Sequence, residues 1–425
     1  MKTEMRAQLR ALFDAAVKQA MPETCLAPML SNDLPKGRLL VLGAGKAAAS
    51  MAEVVSKHYG GAVEGLVVTR YGHGVGHDIP GIEVIEAAHP VPDEMSQRAA
   101  QRMLDMASGL GPEDRLIFLA SGGGSAVLSL PCEGLTFEEK RALVKHLVLS
   151  GAPIHAINSV RKHISAIKGG QLAQAAGDAE VITYVISDVP GDDPADVASG
   201  PTIADQNTLA EARAVIEQFG APDIALAQSV LSDESRETPK ALSPKNETHV
   251  VAKASDALLA VKNEAEAQGY EVHYLGDDLE GNARDLGAAH GALAIKLRNE
   301  GKRAILLSGG EATVVVQNPQ GRGGPNMEYV LGAAIAIEGQ AGISILACDS
   351  DGIDGSEDAA GGFGDGDTVA RAQALDLDVA GLLNQNKSFD VLKALGDVIV
   401  TGPTRTNVND IRIIAVEGND HDQSK

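Results

Sequence analysis

One pattern repeats along the first half of the chain: a short unbroken apolar run, a glycine-rich turn, then a stretch with helical spacing. Residues 38–42 (RLLVL) predict a strand, and GAGKAAASMAEVV after it opens a helix. Residues 66–69 predict a second strand. Residues 115–120 (RLIFLA), followed by SGGGSA, predict a third, and 181–187 (VITYVIS), followed by DVPGDDP, a fourth. Continuous apolar strands alternating with helices imply a parallel sheet covered on both faces. Ligands of such sheets sit outside the carboxyl ends of the strands, where these turns fall. The stretch 232–247 (SDESRETPKALSPKNE) is polar, charged and proline-punctuated, and reads as a linker. Beyond it strands are predicted at 248–252, 270–275, 303–308, 312–317, 343–347 and 411–416, with helices at 254–268 and 280–300. At the amino terminus Arg6, Arg10 and Asp14 alternate with apolar residues, as in an amphipathic helix rather than a signal peptide. The expected architecture is two α/β domains with a cleft between them.

Composition narrows the function. With no Trp and 3% aromatics, the cores must be built from Ala, Val, Leu and Ile. The 47 glycines fall in clusters, not in a period, which suggests loops whose backbone approaches a ligand closely. A formal net charge of −22 argues against nucleic acid as a partner, since that requires a basic stripe. An anionic substrate then needs a local concentration of Lys and Arg. Cys25, Cys132 and Cys348 lack metal-ligand spacing and suggest a reduced compartment. No apolar run is long enough to span a bilayer. The expectation is a cytoplasmic protein without a membrane partner; a homodimer is left open.

Four constellations in the first half carry candidate chemistry. Gly43-Ala44-Gly45-Lys46-Ala47-Ala48 has dinucleotide-fingerprint spacing, but the next strand ends in Thr69 and Arg70 rather than in an acid for the ribose. An arginine there could still take the extra phosphate of NADP. Lys46 inside the turn adds a point charge suited to phosphate or carboxylate, or is a solvated loop lysine. Ser121-Gly122-Gly123-Gly124-Ser125 has three glycines where a turn needs one, so several backbone N–H groups can converge on an anion. Arg161, Ser165 and Lys168 are spaced to share a helical face, forming a local basic patch or a solvated face. Asp188, Asp192 and Asp193 crowd a strand end, where Mg²⁺ holding nucleotide oxygens is the economical reason to gather them; Asp192 or Asp193 could instead cap a helix.

The second half supplies Glu311 in LSGGEAT, Arg322 and Asn326 in GRGGPNME, Asp351 in DSDGIDG and Arg405 in TGPTRTNVND. The D-x-D-G opening at Asp349 invites a calcium-loop reading, but Ala360 stands where the late Glu is required.

The glycine-lysine turn, SGGGSA, NSVRKHISAIKGG, SDVPGDDPADVASGPT, LSGGEATV, GRGGPNMEY, DSDGIDG and TGPTRTNVND occur in the order found in bacterial and archaeal glycerate 2-kinases. The chain resembles that family from about residue 5 to 417. Its members carry a MOFRL carboxy-terminal domain and are often labelled hydroxypyruvate reductases of tartrate utilisation, in serine and glyoxylate metabolism. The resemblance implies a Rossmann-like domain over 1–235, a smaller MOFRL-type α/β domain over 248–417, and an active site in the cleft between them. It implies that ATP and Mg²⁺ are used to phosphorylate D-glycerate at its 2-hydroxyl, and Lys46 matches the family's functional lysine. Two departures stand out. Relatives commonly read GGRNQE where this chain has Pro325 in place of the arginine, and TGPTGTN where it has Arg405 in place of the glycine. Arg322 or Arg405 is expected to supply the lost charge.

Phosphoryl transfer needs positioning and charge neutralisation. Lys46, Asp188 and Arg161 are therefore the expected catalytic residues, with Asp188 before Asp351 as base. Ser121 to Ser125, Lys168, Glu311 and Asn326 are expected on nucleotide or phosphate. Asp188, Asp192 and Asp351 are expected on metal, and Lys46, Arg161, Arg322 and Arg405 on substrate. The rival readings are an NAD(P)H-dependent hydroxypyruvate reductase and a non-catalytic nucleotide or metabolite sensor.

Overall fold

The computed structural model describes residues 1–418, and its contacts divide the chain into two compact units. One is Pro22–Val251; the other joins Met1–Met21 to the chain from Ala252 on.

The first unit is built on strands β1 (Leu39–Ala44), β2 (Glu64–Arg70), β3 (Ile82–Ala87), β4 (Arg115–Ser121), β5 (Glu180–Ile186) and β6 (Asn246–Ala252), in the order β3-β2-β1-β4-β5-β6. The pairs β1/β2, β1/β4, β2/β3 and β4/β5 are parallel. Every residue of β1 and β4 is buried, as continuous apolar strands between two helical layers must be. Leu40, Leu42, Leu66, Val68, Phe118 and Val185 form the centre of one core. A separate helical group (Phe137–Leu149, Ile154–His163, Leu209–Phe219 and Ile224–Leu231) closes around Leu143, Leu147, Val160, Ile164 and Ile216. Two of its helices start with capping boxes, Thr136 with Glu139 and Thr208 with Glu211.

The second unit holds β7 (Glu271–Gly276), β8 (Gly281–Asn282), β9 (Ala304–Ser308), β10 (Ala312–Thr313), β11 (Ile343–Asp349), β12 (Gly361–Asp365), β13 (Val398–Ile399) and β14 (Asp410–Val416). Six of them form a sheet in the order β13-β12-β11-β14-β9-β7, antiparallel except for β7/β9; β8 and β10 pair separately. Among the described residues no helix is long and apolar enough to cross a membrane.

Several elements differ from the sequence reading. The stretch 232–247 is not a loose tether. Glu237 accepts from Leu209 N–H at 3.0 Å, Thr238 donates to Asp205 at 2.9 Å, and the strand that follows becomes β6 of the first sheet. The polar residues that suggest solvent are bonded to the helical group. The amphipathic helix Thr3–Ala20 does form, with Leu9, Leu12, Phe13 and Ala16 buried, but it packs on Ala254–Ala267 of the second unit. Thr406 also donates to the Ala20 carbonyl there, at 2.7 Å. The strand expected at 312–317 shrinks to Ala312–Thr313. Strand β3 is hidden in the sequence by Glu83 and Glu86, and β12 by its glycines. A Cβ at Gly361 would stand 1.9 Å from the Ala347 carbonyl oxygen, so this close pairing admits only glycine.

Candidate active site

In the first sheet the chain runs outward from β1 through β2 to β3, and in the other direction from β4 to β5. The carboxyl ends of β1 and β4 therefore meet at the topological switch point, where ligands bind in open α/β sheets. Both glycine-rich turns lie there, and they do different work.

The turn after β1 has spent its backbone donors. Gly45 N–H bonds Val68 O at 3.1 Å, Lys46 N–H bonds Gly122 O at 2.8 Å and Ala47 N–H bonds Ser121 Oγ at 3.0 Å. A dinucleotide pyrophosphate would need these groups. The place of a ribose-binding acid is held by Thr69, fully buried, whose hydroxyl points to Lys46 O. What this turn offers a ligand is the Lys46 side chain. Ser121, expected on phosphate, is also fully buried and braces the first turn instead.

The turn after β4 is the opposite case. The N–H groups of Gly123, Gly124 and Ser125 have no acceptor among the described residues. With Gly123 left-handed (φ +76°), they form a concavity of donors suited to an anion. A Cβ on Gly123 would come within 3.1 Å of the His89 ring and 3.4 Å of Lys46 Cγ, so both side chains line this cradle. Gly124 is glycine for packing, because a Cβ there would be 2.5 Å from that of Ala198.

Two buried lysines lie in the same unit, one of them against the cradle. Lys168 is 1% exposed and donates to the carbonyls of Ser125 (3.1 Å) and Ala198 (3.3 Å). Lys140, 3% exposed, donates to Leu130 O at 2.7 Å. Neither has a carboxylate partner among the described residues. Burial, and then the charges of Lys140, Arg161 and Lys162, push the Lys168 ammonium well below the usual lysine range. Burial takes Lys140 down to about 7, with Arg161 contributing in the same direction. Burial also lowers Arg161, which bonds Asn158 Oδ1 at 3.2 Å. Of Lys140, Arg161, Lys162 and Lys168, Lys162 is the one with a carboxylate partner among the described residues, Asp205 at 3.0 Å. The shared helical face expected for Arg161, Ser165 and Lys168 does not form. The helix ends at His163, and Ser165 Oγ takes the N–H groups of Ile167 and Lys168 in a tight turn.

Asp188 follows β5, the neighbour of β4, and is half-buried, as is Asp192, whose φ is +55°. Asp193 takes the local role, accepting from Ala195 N–H at 2.9 Å. Among the described residues no three His, Cys, Asp or Glu side chains converge to hold a metal unaided. The carboxylates of this loop are nevertheless hard oxygen donors, and one or two of these suffice for a Mg²⁺ that keeps waters and phosphate oxygens. The donor set fits that ion.

The other expected residues belong to the second unit. Asn326 is fully buried; its amide joins Asp354 (3.3 Å) to Asp410 (2.5 Å) and so holds these loops together. Asp354 also accepts the N–H groups of Asn326 and Met327, and burial raises it to about 7. Buried Arg412 donates to the carbonyls of Gly309 (2.8 Å) and Gly310 (3.1 Å), fixing the turn before exposed Glu311. Asp351 is buried, and its Oδ1 accepts Ile353 N–H at 2.7 Å. Arg322 is bound bidentately to Glu357 (3.0 and 2.6 Å), reaches Asp390 at 3.3 Å and stacks on Phe389. It is held in surface ion pairs with both carboxylates. Arg405 is different: half-buried, it sits at φ +65°, in a loop whose Thr404 N–H bonds Asp351 O at 3.0 Å. Lys140 and His89 escape a reading of the sequence, whereas Ser199 lies in the SDVPGDDPADVASGPT motif without a role assigned to it. Lys140 lies in a run (FEEKRALVKH) that reads as a charged helix surface, and His89 carries no local signal.

Comparison with known proteins finds two domain families along the chain, the first of which extends past both ends of the Pro22–Val251 unit. A domain of unknown function, DUF4147, matches residues 8–265, and the MOFRL family matches residues 304–410. A protein of Agrobacterium vitis that carries the provisional name hydroxypyruvate reductase is 46% identical over 97% of this chain and 94% of its own. The D-glycerate 2-kinase of Thermotoga maritima is 38% identical over 96% of each. A crystal structure of a glycerate kinase from Thermotoga maritima superposes with a TM-score of 0.88 at 35% identity, covering 98% of this chain and all of the other. The chain belongs to the family of two-domain proteins that joins a DUF4147 domain to a MOFRL domain and includes the glycerate 2-kinases.

Proposed function

We propose that the chain transfers the γ-phosphoryl group of ATP to the 2-hydroxyl of D-glycerate. The observation that carries the reading is the Gly122–Ser125 cradle. The N–H groups of Gly123, Gly124 and Ser125 lack protein acceptors among the described residues, and the buried ammonium group of Lys168, without a carboxylate partner there, donates to the Ser125 carbonyl. Such charge is costly unless a ligand anion completes it. The relatives named as glycerate 2-kinases supply the acceptor and the 2-position.

In this reading the cradle holds ATP phosphates through backbone donors, and Lys46 neutralises charge on the phosphoryl group in transit. Asp188 and Asp192 would hold Mg²⁺, which when bound neutralises nucleotide oxygens. A loose transition state makes little demand on a base, so the electrostatic role of Asp188 comes first. The reductase reading is disfavoured by the turn after β1, whose donors are already bonded.

The test is ADP release with D-glycerate and Mg-ATP, with the product identified by phosphorus NMR. We expect 2-phosphoglycerate. Oxidation of NAD(P)H by hydroxypyruvate without ADP release would sink the reading in favour of the reductase.

Arg405 is assigned the glycerate carboxylate. A non-glycine residue at φ +65° is strained, and its side chain is the reason to keep it there. Arg405→Gly should therefore gain about 1 kcal/mol of stability in denaturant titrations while KM for glycerate rises about ten-fold. A more stable variant with an unchanged KM would remove Arg405 from the substrate.

A further inference from the structure

The loop that follows the Asp188 segment contains three successive left-handed residues, Ala198 (φ +54°), Ser199 (+59°) and Gly200 (+56°). Only the last is glycine, and for the other two the conformation is unfavourable. Their carbonyls are all fastened to one turn. Lys168 Nζ donates to Ala198 O at 3.3 Å, Gly169 N–H to Ser199 O at 3.0 Å, and Gly170 N–H to Gly200 O at 2.8 Å. Glycine would meet this backbone without strain, so the retained side chains call for a reason. That of Ala198 is packing: its methyl occupies the space that a Cβ on Gly124 would need. That of Ser199 is polar. Its hydroxyl is fully buried and lies 2.7 Å from Ser125 Oγ, the last residue of the cradle.

We propose that Ser199 is a positioning residue of the anion cradle: the left-handed run holds its hydroxyl beneath Ser125, and that hydrogen bond fixes Ser125 for the ligand. The proposal rests on the reading of Gly122–Ser125 as a phosphate site. A serine hydroxyl rotates freely unless a partner fixes it. With Ser199 Oγ on one side and the Ser125 carbonyl held by Lys168 on the other, Ser125 is fixed at both its backbone and its side chain. A preorganised donor binds an anion without reorganisation on arrival.

The experiment uses the full chain with Ser199→Gly, Ser199→Ala, Ser125→Ala and the double variant Ser125→Ala/Ser199→Ala. Calorimetry gives Kd for inorganic tripolyphosphate, steady-state assays give KM for ATP and kcat, and melting temperature monitors the fold. Ser199→Gly should weaken tripolyphosphate binding and raise KM for ATP about ten-fold while melting no lower than the parent, since glycine relieves the strain. Ser199→Ala should show the same binding loss with a lower melting temperature than Ser199→Gly. The double variant should bind no worse than Ser125→Ala alone, because Ser199 acts through Ser125. A parental Kd and KM in Ser199→Gly, or additive losses in the double variant, would overturn the proposal, as would a parent chain that does not bind tripolyphosphate. A parent that binds tripolyphosphate but never phosphorylates glycerate would remove the kinase reading, and the Kd comparison would still decide the role of Ser199.

Discussion

Lys46→Ala is expected to lower kcat about a thousand-fold with D-glycerate and ATP, the scale set by loss of a cation that stabilises a transferring phosphoryl group. That corresponds to about 4 kcal/mol of transition-state stabilisation. The fold should survive, because the junction between the two turns is made by the Lys46 backbone: its N–H on Gly122 O and its carbonyl facing the Thr69 hydroxyl. Melting temperature should move by no more than about 2 °C, as for substitutions away from a packed core. The side chain lines the cradle at Gly123, and because its proposed role is on the phosphoryl group in transit, turnover should suffer more than ground-state ATP binding. Lys46→Arg should not rescue the rate, since a forked planar guanidinium does not replace a compact point charge. A variant with normal kcat and raised KM for ATP would instead make Lys46 a ground-state contact.

Much of this site is legible in the sequence, and the limits of that legibility are physical. The turns after β1 and β4 announce themselves because a glycine cluster beside an apolar strand allows close approach to a ligand and serves few further purposes. Which turn binds an anion is not legible, because the answer depends on whether a neighbouring strand end uses up the N–H groups. Ser121 and Ser125 are equivalent in the motif; one braces the Ala47 N–H and the other faces Ser199. Arg322 looks free in the sequence, and only the fold brings Glu357 and Asp390 around it. The same holds for domains. The stripe of Leu9, Leu12 and Phe13 specifies a buried face but not its partner, which is the helix at Ala254–Ala267. The charged stretch before β6 reads as solvent-facing because Glu237 and Thr238 are polar, yet both are bonded into the helical group. In this chain periodicity reveals which residues are buried, and pairing across distance decides what they do.

The buried lysines predict an unusual dependence of stability on pH. In the unfolded chain both titrate near 10.4; in the folded protein Lys140 titrates at about 7 and Lys168 well below the usual range, burial being the main cause in each case. Between the folded and unfolded values the unfolded chain holds more protons, so stability must rise with pH. From pH 7 to about 8.5 the rise should amount to on the order of a few kcal/mol in buffer without polyvalent anions. Above that range the buried thiols oppose it, since burial raises Cys132 and Cys348 while the unfolded thiols ionise first. Saturating tripolyphosphate should make the slope shallower, because an anion over Lys168 favours its protonated form, and should add about 2.7 kcal/mol at a hundred-fold excess over Kd. Lys140→Met isolates one contributor. The Leu130 carbonyl keeps its bonds from Ser165 Oγ (3.0 Å) and Ala166 N–H (3.2 Å), so little is left unsatisfied. At pH 7 this variant should be more stable than the parent by about 1–3 kcal/mol, with a shallower rise toward pH 8.5. Denaturant midpoints across that range, with and without tripolyphosphate, decide the matter. A parent whose stability is flat with pH and indifferent to the anion would mean that the buried ammonium groups carry no uncompensated charge, and the phosphate reading of the cradle would lose its electrostatic basis.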